Sequence, residues 1–232
     1  MNTNLRTAAF RLACLVLLHL SFAAPGSPAR AATREFAVME ISGGSVKSGS
    51  LEFELWPEVA PKTVANFRYL AESGFYDNTA FHRLSGATAG LRVIQGGDPL
   101  TRFTDLTDYY GMGNPGYRIP DERPSGPEYT HARGVLSMAN SGSNSPHSAG
   151  SQFFVMLAPF SGLDGGFACF GRITERSEDF LATLANASTV SPAEGKFSPE
   201  QDPESFAAPE TRITLNRLRI RREFTDPDRP FI

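Results

Sequence analysis

Three segments carry the reading of this chain's fold: Phe81-His82-Arg83, then Val93-Ile94-Gln95-Gly96-Gly97-Asp98-Pro99, then Leu136-Ser137-Met138-Ala139-Asn140 running on to Gly150-Ser151-Gln152-Phe153-Phe154. Each couples a short apolar run to Gly, Pro, Asn or Ser, which is how short strands and their turns look in a sequence. Val93 to Gln95 reads as a strand stopped by Gly96-Gly97-Asp98-Pro99, and Val135 to Ala139 and Gln152 to Leu157 read as two more. Working outward, residues 167–173 form a further strand. Residues 36–42 and 50–56 form two strands around a Gly/Ser-rich turn. In the second, Leu51, Phe53 and Leu55 alternate with Glu52 and Glu54, the period of a half-buried strand. Pro61 opens a helix whose stripe is Val64, Phe67, Leu70 and Ala71, and Gly74 stops it. A second helix over 178–186 presents Phe180, Leu181 and Leu184, and Asn186-Ala187-Ser188, which fits a glycosylation triplet, reads as its end. Residues 84–90 and 141–150 are small or polar loops, and 100–129 is a long ordered loop rich in Gly, Pro, Asp and Tyr. Thr211 to Arg221 alternates as a closing strand with a bulge at Asn216-Arg217. Many short strands and only two helices predict a mainly β fold, and the residue pattern stops at a choice between a barrel and a sandwich.

The chain has 232 residues and a formal net charge of -3, ordinary for one globular domain with extensions. No basic stripe marks a nucleic-acid partner. At the N-terminus Arg6 and Arg11 are followed by an apolar run from Leu12 to Ala24, the plan of a signal peptide. The run is shorter than the roughly 20 residues of a membrane-spanning helix, and Pro25, Gly26 and Pro28 break it. Ala29-Arg30-Ala31 supplies a cleavage site after Ala31, and Ser21-Phe22-Ala23 a second one after Ala23. Residues 1–31 thus read as a signal peptide, 32–222 as one domain with a Pro/Glu/Ser/Ala-rich insert at 191–209, and 223–232 as a C-terminal tail. Cleavage after Ala31 removes three arginines and no acid, taking the net charge from -3 to -6. It also removes Cys14 and leaves Cys169, a small apolar strand residue with no disulfide partner. The expected location is periplasmic or secreted, without stable membrane insertion after processing, and the expected state is a monomer.

Taken in order and spacing, the three opening segments resemble the core signature of the cyclophilins, the peptidyl-prolyl cis/trans isomerases. Ala60-Pro61-Lys62-Thr63-Val64-Ala65-Asn66-Phe67 and Leu163-Asp164-Gly165 also fit, so the resemblance runs from about residue 36 to 220. It implies a closed eight-stranded antiparallel barrel capped by two α-helices, with the substrate groove on its outer face. It implies an enzyme that accelerates X-Pro bond rotation in proline-containing polypeptides, here exported proteins during folding, with no cofactor and no metal. The rotation barrier is about 18–20 kcal/mol and comes from amide resonance. A guanidinium over the prolyl nitrogen interacts better with the twisted, pyramidal amide than with the planar one. Lowering the barrier by about 7 kcal/mol gives an acceleration on the order of 10⁵. By the resemblance Arg83 is that arginine, with Gln95 and Gln152 as its polar companions. Phe154 and Val93 are the floor of the proline pocket with Leu163 beside it, Ala139 and Asn140 pair with the substrate backbone, Phe167 borders the groove, and His82 is a packed neighbour of it among the substrate-binding residues. Phe81 and Phe153 serve the core.

Three positions depart from the family pattern. Arg92 stands where members usually have phenylalanine, after a loop about four residues longer than usual. Either Leu91 replaces the missing wall through a bulge, or the pocket gains a second cation. The second outcome would favour a proline-segment-binding chaperone with weak or no turnover. Phe167 replaces a histidine and makes the site more apolar. Gly162 stands where many eukaryotic members have tryptophan, which implies weak binding of the family's cyclic immunosuppressant peptide. Other chemistries lack their motifs: there is no Gly-x-Ser-x-Gly elbow for His82, His131 or His147 to serve, and neither a His-Glu-x-x-His nor paired cysteines for zinc. His131 and His147 read as loop or strand-edge residues.

Overall fold

A computed structural model describes residues 33–44, 46–84, 91–124, 126–141, 146–187 and 212–224. The expected signal peptide, its cleavage sites and the 191–209 insert lie outside the described residues, as do most of the 84–90 loop and the tail beyond Phe224. The chain builds one curled antiparallel sheet of nine strands with two helices. The strands are β1 (Thr33–Gly43), β2 (Val46–Leu55), β3 (Thr79–Ala80), β4 (Arg83–Leu84), β5 (Val93–Gly96), β6 (Val135–Met138), β7 (Phe153–Met156), β8 (Ala168–Ile173) and β9 (Thr214–Phe224). The helices are α1 (Pro61–Glu72) and α2 (Glu178–Ala187). The ladder runs β3-β9-β1-β2-β8-β6-β7-β5-β4. Nine strands replace the expected eight because residues 79–84 enter the ladder twice, on either side of Phe81-His82. Across that break the Phe81 N–H donates to the Ile213 carbonyl, and the His82 N–H donates to the Gln95 carbonyl.

Local chemistry explains the boundaries. Pro61 occupies the first turn of α1, where its missing N–H costs nothing. Ala60 offers no side-chain cap, so the N–H groups of Lys62 and Thr63 donate to the distant Glu122 carboxylate at 3.0 and 2.7 Å. Gly74 follows the helix at φ 72°, a left-handed position that suits glycine. The expected bulge is present: Glu40 pairs with Arg217 but Ile41 with Leu215, so Asn216 is the extra residue. β9 continues through Glu223 and Phe224, which pair with Arg34 and Thr33, two residues past the boundary expected for the tail. The 100–129 loop is ordered around short 3₁₀ turns at 99–102, 107–109 and 127–129.

The core lies inside the curl. Phe67 of α1 packs at 5.0 to 5.5 Å against Tyr76, Phe153 and Phe170. Met39, Ile41, Leu51, Phe53, Ile94 and Leu136 join it, all fully buried. β1 is buried on both faces because Arg34 and Arg221 lie over the outward Phe36 ring at 5.0 and 4.2 Å. With the interior filled, a polypeptide has to bind outside. No helix among the described residues is long and apolar enough to cross a membrane.

Candidate active site

Register builds the site. Arg83 pairs with Gln95, Gln95 with Phe154, Phe154 with Ser137, and Ser137 with Cys169. Directly opposed residues in neighbouring strands share a face, so one row across four strand pairs sets a cation, an amide and an aromatic ring side by side on the outside. The row beside it (Leu84, Ile94, Val155, Leu136) faces the core and is buried throughout. The adjacent phenylalanines divide accordingly: Phe153 belongs to the main core and Phe154 to a second apolar cluster.

Hydrogen bonds order the polar end of the row. Arg83 Nη1 donates to Gln95 Oε1 at 3.3 Å, and Gln95 Nε2 donates to Gln152 Oε1 at 3.0 Å. Gln152 Nε2 donates to the carbonyls of Gly111 and Gly113 at 2.7 and 2.9 Å. Both amides are thereby fixed in orientation, and the exposed guanidinium is steered by Gln95. Those glycines are held by Asp98, which is fully buried and accepts from the N–H groups of Leu100, Gly111 and Gly113 at 2.7, 2.6 and 3.1 Å. A Cβ on Gly113 would fall 1.8 Å from Asp98 Oδ1, so this approach requires glycine.

The apolar end is the second cluster. Val93, Phe154 and Met156 form it with Val135 and Cys169, and Trp56, Leu91, Ala139, Phe160, Leu163 and Phe167 pack against it. Phe167 meets Phe154 edge-to-face at 5.6 Å. Of the expected residues, Val93, Ala139, Phe154, Leu163 and Phe167 thus fall together beside the Arg83-Gln95-Gln152 relay. Asn140 lies next in chain, its Nδ2 donating to the Gly166 carbonyl at 3.1 Å. His82 is packed next to the groove and too buried to touch a substrate. It is 2 % exposed and packed behind Gly111, and neither ring nitrogen has a hydrogen-bond partner. Burial pushes its pKa down to about 4, so the ring is neutral.

Leu91 fills the wall and Arg92 turns away from the pocket, without the bulge that the first of the two outcomes invoked. Alternation carried back from β5 puts Leu91 on the side of Val93 and Arg92 opposite. Leu91 joins the apolar cluster, and Arg92 Nη2 donates to the Ala185 carbonyl at 2.8 Å, in the last turn of α2 where a cation is favoured. At Gly162 a Cβ would fall 2.6 Å from the Phe160 ring, so Phe160 occupies that space.

Met156, Trp56 and Phe160 went unnamed from sequence. The alternation Phe154, Val155, Met156 is a signal that finds Met156; nothing local marks the other two. His131 lies in the loop before β6, one of the two expected placements, but it is not at the surface. It is 1 % exposed and stacked on Phe154 at 5.9 Å. Its Nδ1 lies 2.8 Å from Asp164 Oδ1 and its Nε2 3.1 Å from Ser137 Oγ. Burial lowers its pKa, which fits a neutral ring donating from Nδ1 to the carboxylate. This Asp-His-Ser order is that of a hydrolytic triad. Ser137, however, is fully buried beneath Phe154 and donates to the Ala168 carbonyl at 3.0 Å, so it has no access to an acyl substrate. The group supports the pocket floor. Cys169 lies 3.4 Å from His131 Nε2, its thiol pushed up to about 12 by burial, an inert neighbour. Among the described residues no group of three His, Cys, Asp or Glu side chains could hold a metal ion.

A second concavity adjoins the row. Gln95, Gln152 and Ala139 form one wall of a cleft of about 320 Å³ whose other side is the 111–118 segment.

Residues 36–203 match the family model for cyclophilin type peptidyl-prolyl cis-trans isomerase/CLD. The chain is 41% identical over 140 residues to peptidyl-prolyl cis-trans isomerase B of Bacillus subtilis, covering 60% of this chain and 86% of that protein. It is 43% identical over 125 residues to a peptidyl-prolyl cis-trans isomerase of Schizosaccharomyces pombe, covering 54% and 72%. A crystal structure of a cyclophilin type isomerase from Cryptosporidium parvum superposes with a TM-score of 0.62 at 29% identity, covering 81% of this chain and 98% of that one. A Cryptosporidium parvum cyclophilin structure in the presence of the dipeptide Ala-Pro gives a TM-score of 0.60.

Proposed function

Because the chain belongs to the cyclophilin-type peptidyl-prolyl cis-trans isomerases, we propose that Arg83 is its catalytic group and the Phe154 cluster its proline seat. The observation that carries this reading is the single cross-strand row Arg83, Gln95, Phe154, with the guanidinium oriented by the Gln95-Gln152 relay. A proline ring on Phe154, against Val93, Met156, Leu163 and Phe167, brings its nitrogen toward Arg83. The guanidinium then donates to the nitrogen lone pair as resonance is lost, which stabilises the transition state more than the ground state. No proton is transferred, and the neutral, buried His82 is not asked to act as a base. The substrate backbone adds along Ala139 and Asn140. The Arg92 bond to α2 removes the ground for a chaperone without turnover.

The sheet closes into a barrel if residues 79–84 are counted as one strand bonded to Ile213 on one side and Gln95 on the other. Residues 1–31 direct export, and the processed monomer assists the folding of proline-containing polypeptides in the periplasm or outside the cell. Exchange NMR on an Ala-Pro peptide tests the activity. Accelerated cis/trans exchange is expected, and binding shifts without faster exchange would overturn the assignment of catalysis. Mass spectrometry of the expressed protein tests export: a mature N-terminus at Ala32 supports it, and an intact residue 1–31 segment on protein retained in the cytoplasm refutes it.

A further inference from the structure

Beyond the reacting row, residues 100–112 carry an apolar side chain at every third position: Leu100, Phe103, Leu106, Tyr109 and Met112. The structure gives that spacing a cause. The N–H groups of Phe103, Leu106, Tyr109 and Met112 donate to the carbonyls of Leu100, Phe103, Leu106 and Tyr109 at 3.0, 3.2, 3.0 and 3.0 Å, so four successive turns share their end residues. In turns of this kind side chains three apart line up. Phe103, Tyr109 and Met112 are 53, 55 and 61 % exposed, with Leu100 and Leu106 half-buried beside them. An anchored backbone holds them in water. Arg212 donates to the Thr101 carbonyl and, at 3.2 Å, to Tyr110 Oη, which donates to the Phe103 carbonyl at 2.9 Å. Asp98 grips the N–H groups of Leu100 and Gly111 near either end. A preformed apolar ridge of this kind marks an interaction surface. Its rim is acidic. Asp105 and Asp108 are exposed and make no hydrogen bond or ion pair with any described residue, while Arg102 is taken up by the carbonyls of Gly74, Phe75 and Asp77.

We propose that this ridge docks an apolar, Lys- or Arg-bearing stretch of the same unfolded polypeptide whose proline occupies the Phe154 seat. Continuity places the client there: the ridge ends at Met112, and the carbonyls on either side of that residue, of Gly111 and Gly113, hold Gln152 of the relay. Each turn spans less than about 7 Å, so from Met112 to Phe103 the ridge matches about six residues of extended chain. An unfolded client exposes such stretches, and its cations pair with Asp105 and Asp108. A second copy fits worse, because ridge against ridge would bring the same two acids of each copy together. The inference rests on the proline site being where the previous section puts it.

The test uses peptides with a single Ala-Pro unit, read for both Kd and exchange rate by NMR: a tetrapeptide, and longer peptides with an extension of about eight residues on either side of that unit. The extensions are Phe/Leu with Lys, Phe/Leu with Glu, or Ser/Gly alone. On one side the Phe/Leu-Lys extension should tighten wild-type binding about 10-fold over Ser/Gly, and exchanging its Lys for Glu should cost about 3-fold at low salt. Salt at roughly 0.5 M should erase the Lys-to-Glu difference and leave the apolar one. In Phe103→Ser/Tyr109→Ser the apolar advantage should vanish, and in Asp105→Lys/Asp108→Lys the Lys-to-Glu order should invert. The tetrapeptide is too short to reach the ridge, so its exchange rate should match wild type in both variants, which also shows that they fold. Equal Kd for the Phe/Leu and Ser/Gly extensions, or an apolar advantage that survives Phe103→Ser/Tyr109→Ser, overturns the proposal. So does wild-type self-association that this variant abolishes, which would make the ridge a contact between copies. If no peptide is isomerised, the assignment of catalysis fails instead, and the Kd ratios still decide the ridge.

Discussion

Acid should unfold this protein partly through His82. The ring is 2 % exposed with both nitrogens unpartnered. Desolvation is the main force lowering its pKa from 6.5 to about 4; the Asp98 charge, nearby Gln152 and the Ala80 backbone oppose it, and the Arg83 charge adds to it. In the native state the imidazole stays neutral down to about pH 4, whereas in the unfolded chain it takes a proton near pH 6.5. Between those values the unfolded state binds more protons, so stability falls as pH falls. At 1.36 kcal/mol per pKa unit the loss amounts to about 3 kcal/mol by pH 4. Urea titrations of the wild type and His82→Phe at pH 7, 6, 5 and 4 isolate this contribution, since every other titrating group is common to both. The wild type should lose about 3 kcal/mol relative to the variant between pH 7 and pH 4. Parallel stability curves would refute the reasoning and mean that the native ring is charged or solvated.

Other substitutions check separate parts of the site. Arg92→Ala should cost about 0.5–1 kcal/mol of stability through the C-terminal end of α2, seen as a lower urea midpoint, with exchange activity within about twofold of wild type. Asp98→Asn replaces a buried carboxylate that accepts three backbone N–H bonds, so a loss of about 3 kcal/mol is expected. It should slow exchange as well, because Gln152 loses the fixed carbonyls of Gly111 and Gly113. Glu122→Ala leaves two N–H groups of α1 without their carboxylate and should cost about 1 kcal/mol, measured by denaturant titration, with unchanged peptide affinity.

The sequence carried the strands and helices wherever one local cause fixes them. Pro61 and Gly74 bracket α1, Gly96 through Pro99 end β5, and the alternation after Thr211 contains its own bulge at Asn216. It also separated Phe153 from Phe154, because successive strand residues face opposite ways. It did not show the break at Phe81-His82, which depends on two different neighbours, β9 and β5, bonding to consecutive N–H groups. The burial of His131 was equally hidden. His131 is enclosed by Phe154, Asp164, Ser137 and Cys169, which come from four separate segments, and an isolated histidine gives no hint of such an enclosure. Arg92 illustrates the converse. Its destination at Ala185 is 93 residues away in sequence, yet its direction follows from strand alternation with Val93 alone.

The central claim is that Arg83 acts on the transition state of rotation. Its most direct test is exchange NMR on one Ala-Pro peptide with wild type and Arg83→Ala, measuring the catalysed rate and the peptide Kd in the same samples. Removing an oriented donor of this kind should slow exchange by about 10²–10³ while Kd moves by less than about threefold, since the Phe154 cluster still seats the ring. A variant that isomerises as fast as wild type, or one whose whole loss of rate is matched by weaker binding, would contradict it.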